Sequence, residues 1–113
     1  MNKMPIFIDT KNIIVNLLKE DKKEYLSIER LQNLLSYIYI ELWKLKKLND
    51  YQITFEINFD AIERTVLYNK EIFALDINEE TIYLRNFGNI NNLADNFSVD
   101  STLLSIIKKF SVA

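Results

Sequence analysis

The stretch Leu26–Leu48, LSIERLQNLLSYIYIELWKLKKL, is the longest apolar-periodic segment of the chain and decides how the rest is read. At about 100° per residue, Leu31, Leu34, Leu35, Ile38, Leu42 and Leu45 fall on one arc, with Ile28 and Tyr39 at its edge. That arc predicts the core face of an amphipathic helix. Ser27 is the expected N-cap, Glu29 sits where the helix dipole favours a negative charge, and Asn49-Asp50 ends the pattern. Lys44, Lys46 and Lys47 fall in the last turns, where cations suit the dipole. The opposite side is less ordinary, because Tyr37 and Ile40 project there and Trp43 lies on the rim. A helix apolar nearly all round is expected to be sandwiched between two layers. The alternative is an exposed aromatic surface for a partner.

Outward from this helix, the pattern predicts α+β architecture in a single domain over residues 1–113. Pro5 to Ile8 reads as an edge strand or a pre-helix staple. Asp9 then caps a helix over 10–20, with Ile13, Ile14, Leu17 and Leu18 on one face. The charged link EDKKEY, with Lys22-Lys23 as a solvated turn, joins the two helices into an expected N-terminal helical hairpin. After Asp50 the period changes to two. Tyr51, Ile53, Phe55, Ile57 and Phe59 alternate with Gln52, Thr54, Glu56 and Asn58, which predicts a strand over 51–59 in a half-exposed antiparallel sheet. Residues 60–70 fit a short helix with Ile62 and Val66 inward, or a strand through Thr65–Tyr68; strand is the expectation taken here.

Residues 72–77 and 81–87 flank Asn78-Glu79-Glu80 as a β-hairpin. The segment 88–98 holds the only glycine and four asparagines, and reads as a loop. A C-terminal helix follows from about Asp100 to Phe110, with Leu103, Leu104, Ile106, Ile107 and Phe110 apolar. The expected fold is therefore an N-terminal helical hairpin, a small antiparallel sheet of three or four strands and a C-terminal helix, with the helices on one sheet face.

Composition narrows the chemistry more than it names it. The 113 residues contain neither cysteine nor histidine, which removes the usual zinc sites, thiolate nucleophiles and the commonest general base. One glycine cannot build a phosphate-cradling loop, so no cofactor or metal is expected. A formal charge of −2 argues against direct nucleic-acid binding, and no run is long enough for a transmembrane helix, so a cytoplasmic protein is expected. Glu56, Asp60 and Glu63 are near enough in sequence for a carboxylate pair of the glycosidase kind, but nothing about their spacing is specific, and a strand-face charge and a helix-capping pair explain them more simply.

The segment Leu26 to Tyr37, Leu-Ser-Ile-Glu-Arg-Leu-Gln-Asn-Leu-Leu-Ser-Tyr, resembles the opening signature of the Panacea domain, a family of phage-associated and antitoxin proteins. Phe97 to Phe110, with Leu104 and Ile107, is similar to that family's later helix. The resemblance implies a cytoplasmic protein that neutralises a toxin by direct binding, with no catalytic residues. Two other readings stand beside it: an inhibitor of host defence nucleases carried by a phage or mobile element (an anti-CRISPR or other anti-defence protein), and a small hydrolase using the Glu56–Glu63 carboxylates. In the binding readings the partner is another protein, either a toxin or a basic nucleic-acid-binding enzyme. Two surfaces are candidates. One is the acidic hairpin around Glu71, Asp76, Glu79 and Glu80, in a C-terminal part of net charge −4 over residues 51–113. The other is the Tyr37, Ile40, Trp43 side of the long helix. The sequence leaves the oligomeric state open.

Overall fold

A computed structural model describes residues 4–53 and 57–112. The chain is mixed α/β. A short strand β1 (Ile6–Ile8) leads into helix α1 (Thr10–Asp21), strand β2 (Tyr25–Ser27) and the long helix α2 (Ile28–Lys44). Strand β3 (Tyr51–Ile53), helix α3 (Phe59–Tyr68), strands β4 (Phe73–Asp76) and β5 (Thr81–Leu84), and helices α4 (Ile90–Asn96) and α5 (Ser101–Ser111) complete it. The expected antiparallel sheet is present with three strands in the order β2-β5-β4, and β4 and β5 form the hairpin foreseen around Asn78–Glu80. A separate pair, β1 with β3, runs parallel.

Local chemistry explains both helix starts. Asp9 Oδ1 accepts the Lys11 N–H at 3.2 Å, and Ser27 Oγ accepts the Arg30 N–H at 3.1 Å, so each cap satisfies a donor the helix leaves free. Both helices also end alike. Lys22 (φ 56°) and Lys46 (φ 58°) adopt the left-handed conformation where glycine is usual. Their N–H groups reach Lys19 O and Trp43 O, while Lys23 N–H and Lys47 N–H reach Leu18 O and Leu42 O. A sequence with one glycine pays for these stops with backbone strain at lysine.

The core gathers on α1. Ile13, Ile14, Val15, Leu17 and Leu18 are all fully buried, and Thr10 and Asn16 are buried beside them. Asn16 is satisfied, because its Nδ2 donates to Asn12 O at 2.8 Å and to Phe97 O at 2.9 Å. The closest backbone approaches of α1 are to α5 and α4, with α3 behind, and α2 leans chiefly on α5. At one end the three helices are tied together. Arg30 of α2 donates two bonds to the Asp21 carboxylate of α1 (2.7 and 2.8 Å), and Ser111 Oγ of α5 donates to the same group at 2.6 Å. Burial alone pushes the Asp21 carboxyl up, but these hydrogen bonds and the Arg30 charge outweigh it and hold it below its ordinary range.

Four expectations are corrected. Within 60–70, the chain is helix as far as Tyr68 and then turns: Asn58 Oδ1 caps α3 through the Ala61 N–H at 2.8 Å, and the inward residues are Ile62 and Val66. The strand expected over 51–59 is described only at Tyr51–Ile53 and pairs parallel to β1, not antiparallel. Within it, Thr54, Phe55 and Glu56 lie outside the described residues, and Ile57 is exposed where the alternation required burial. The segment 88–98 is largely the helix α4, with Ala94 buried and Leu93 and Phe97 packed on the core. The link EDKKEY ends in strand β2, whose Tyr25, Leu26 and Ser27 pair with Tyr83, Ile82 and Thr81.

Candidate functional site

The acidic hairpin is built tightly around its own backbone. Asp76 Oδ1 accepts the N–H groups of Asn78 (3.0 Å) and Glu79 (3.3 Å), closing the turn as an aspartate does when it mimics a backbone carbonyl. Tyr83 donates its hydroxyl to Glu79 Oε2 at 3.2 Å; burial and the Glu79 charge together raise the Tyr83 phenol above its ordinary range. Glu80 takes a left-handed backbone (φ 49°), and its carbonyl accepts the Ile28 N–H at 2.9 Å. That bond fixes the acidic tip against the N-terminal end of α2. Glu71 is not part of this cluster. It lies in the turn that precedes β4, at the end of that strand away from the acidic tip.

The long helix divides differently from the expectation. Leu31, Leu34, Leu35, Ile38 and Leu42 are fully buried, with Ile28, so the core arc is correct over the helix itself. Leu45 is the exception: it caps the helix and is 51% exposed, because the chain turns at Lys46 before the arc can continue. Among the described residues, no second layer covers Ile40 and Trp43. Ile40 is 52% exposed and Trp43 71% exposed. Tyr37 does not belong with them. It is half-buried on the flank facing α5, with its ring centroid 5.5 Å from that of Phe110. Burial and a hydrogen bond with Glu41 raise its phenol, and Glu41 in turn holds Lys109 at 3.1 Å.

Two apolar residues that pattern reading placed on the core arc or at its edge are also exposed. Tyr39 is 37% exposed, and Leu45, six residues further on at the helix end, is 51% exposed on the side that faces α5. Lys44, Lys46 and Lys47, at the same end of the helix as Leu45, are all exposed. A cleft of about 430 Å³ continues from this end of α2 onto α5, between Leu45 and Ile106, with Glu41, Lys47, Thr102 and Lys109 on its walls. The signal for the missed residues was the helix stop at Asn49-Asp50, which places Leu45 too late in the helix to be covered. A second cleft, of about 260 Å³, lies between α3 and the hairpin, with Val66, Leu67, Phe73 and Leu75 as its apolar lining.

Of the carboxylates considered for catalysis, two are described. Asp60 and Glu63 lie in the first turns of α3, and Glu56 falls outside the described residues. No group of three metal-ligating side chains occurs among the described residues, and no helix there is long and apolar enough to cross a membrane. No family model, curated protein or solved structure matches the chain, so the likeness to the Panacea domain stands on its own residues alone.

Proposed function

We propose that this chain is a non-catalytic, cytoplasmic protein-binding module that neutralises or inhibits a partner protein, and that it docks through the outward face of α2. The observation that carries the reading is the exposure of Ile40, opposite a fully buried leucine face, and of Trp43 on its rim. An aromatic side chain that the core does not use, held on a rigid helix, is the usual anchor of a binding hot spot. The fold has no need of it. Lys44, Lys46 and Lys47 at its edge favour a partner whose apolar pocket has an acidic rim.

The hairpin is the weaker surface, because Asp76 and Glu79 already spend their carboxylates on the turn and on Tyr83. The test is capture from the native host, identification of the partner, and kinetics with the purified pair. Trp43→Ala and Ile40→Ala should each raise the dissociation rate tenfold or more, roughly 1.4 kcal/mol or above, with little salt effect. Glu80→Lys should leave that rate unchanged. The opposite ranking would move the site to the hairpin.

A further inference from the structure

Along the outer half of α2, Glu29, Asn33, Ser36, Ile40 and Trp43 follow a four-three-four-three spacing, a stripe that drifts from the pole opposite the core to the Trp43 rim. All are exposed except half-buried Ser36. The stripe is symmetric in position and complementary in size about residue 38. Asn33 and Trp43 are equally far from that level, and so are Ser36 and Ile40. Each large apolar residue therefore has a small polar counterpart at the mirrored position.

Charge follows the same symmetry. The N-terminal end of α2 carries Glu29 and, through the Ile28 N–H to Glu80 O bond, the acidic hairpin tip. The C-terminal end carries Lys44, Lys46 and Lys47. The 17-residue helix separates these ends by about 25 Å. One end is acidic and the other basic.

We propose that two copies of this chain pair through the outward faces of their α2 helices, antiparallel about a two-fold axis level with residue 38. In that register Trp43 of one copy lies over Asn33 of the other, and Ile40 over Ser36. The lysine-rich end of each copy meets the Glu29 and Glu80 end of its mate, so both ends of the contact are complementary at once. A parallel pairing would place like charge on like at both ends. The two-fold arrangement also closes, which predicts a dimer and no higher assembly. A contact made by one helix from each copy is at the small end of protein interfaces, so the pairing is reversible. The proposal rests on the reading of this face as an interface. It adds that the second copy is the occupant a foreign partner must displace.

Sedimentation of the full chain from micromolar to millimolar concentration tests it. The expected result is a monomer–dimer equilibrium that weakens with salt, with the emission of Trp43, the sole tryptophan, shifting to the blue as dimer forms. Ile40→Asp should give a monomer at every concentration with an unchanged circular-dichroism spectrum. A chain carrying Glu29→Lys with Glu80→Lys, and another carrying Lys44→Glu with Lys47→Glu, should each be monomeric alone and pair when mixed.

A wild-type monomer throughout the range overturns the pairing, as does assembly beyond the dimer. So does a blue shift of Trp43 only on anionic phosphatidylserine vesicles, which would assign the face to a membrane surface. A monomer that still loses its purified partner through Trp43→Ala would end this proposal and leave the binding function standing. A dimer whose partner binding ignores Trp43 would end the function and leave the pairing.

Discussion

Helices α1 and α2 look alike in sequence and are used in opposite ways. α1 is shorter and less apolar, yet it is buried almost all round: α5, α4 and α3 approach it, and even Asn16 is enclosed. α2 is longer and richer in aromatic and aliphatic residues, but only one face is buried. Apolar content did not decide which helix became the centre. Position did. α1 is reached by helices from the far half of the chain, whereas α2 has α5 on one flank, a Gln32 Nε2 bond to the Ile57 carbonyl, and Ile40 and Trp43 left exposed. Ile40 and Trp43 stay outside on a helix that already has a full core face, and the binding reading proposed above rests on that.

The largest expected effects fall on the buried sides of both helices. Leu17→Ala in α1 and Leu42→Ala in α2 should each cost about 2–5 kcal/mol in urea melts, since both leucines are fully enclosed. A loss below about 0.5 kcal/mol at either position would mean that its helix faces the other way. Asn16→Ala should cost roughly 1–3 kcal/mol, because it strips a donor from the Phe97 carbonyl and opens a polar gap in α1. No equivalent polar residue is buried in α2.

How much of this was legible in the sequence follows from the same contrast. The capped starts at Asp9 and Ser27, the leucine arc of α2 and the β4–β5 hairpin are local patterns, and each was readable from neighbouring residues. The errors fell where tertiary context overrode pattern. Phe59 continues the alternation begun at Tyr51, but Asn58 caps a helix there and turns the chain. The asparagine-rich segment 88–98 is helical because Leu93, Ala94 and Phe97 have a core to pack on. Of the candidate surfaces, Ile40 and Trp43 were readable as residues the leucine arc did not need. The withdrawal of Tyr37 to the α5 flank was not, since it depends on Phe110.

Two pH effects separate the ties between helices from the free face. The Tyr51 hydroxyl donates to Asp100 Oδ2 at 2.7 Å, and burial, with that bond, pushes the phenol up to about 12. On unfolding it returns to about 10, so the unfolded chain loses its proton first. The contribution of Tyr51 is whole below about pH 10 and is lost as pH rises through about 12. Tyr51→Phe should flatten an alkaline denaturation profile in that window.

Asp21 has the opposite sign. Its folded carboxyl lies below its ordinary range, so its contribution is present above the unfolded value and is lost as pH falls through the folded one. Asp21→Asn should lower stability at neutral pH and weaken the acid dependence. A smaller gain is expected at the helix stop: Lys22→Gly should stabilise by about 1 kcal/mol, because it relieves a left-handed lysine. Smallest of all, Trp43→Ala should change stability by less than about 0.5 kcal/mol, as for an exposed side chain outside the core.

The central claim is that the outward face of α2 exists for binding and not for folding, and the emission of Trp43 measures it directly. In dilute, monomeric protein the sole tryptophan should emit as a water-exposed indole and be quenched freely by iodide. Raising the concentration, or adding the purified partner, should shift the emission to the blue and shield it from quencher. A tryptophan already blue-shifted and shielded in the dilute monomer would contradict the claim, and so would one that no binding event protects.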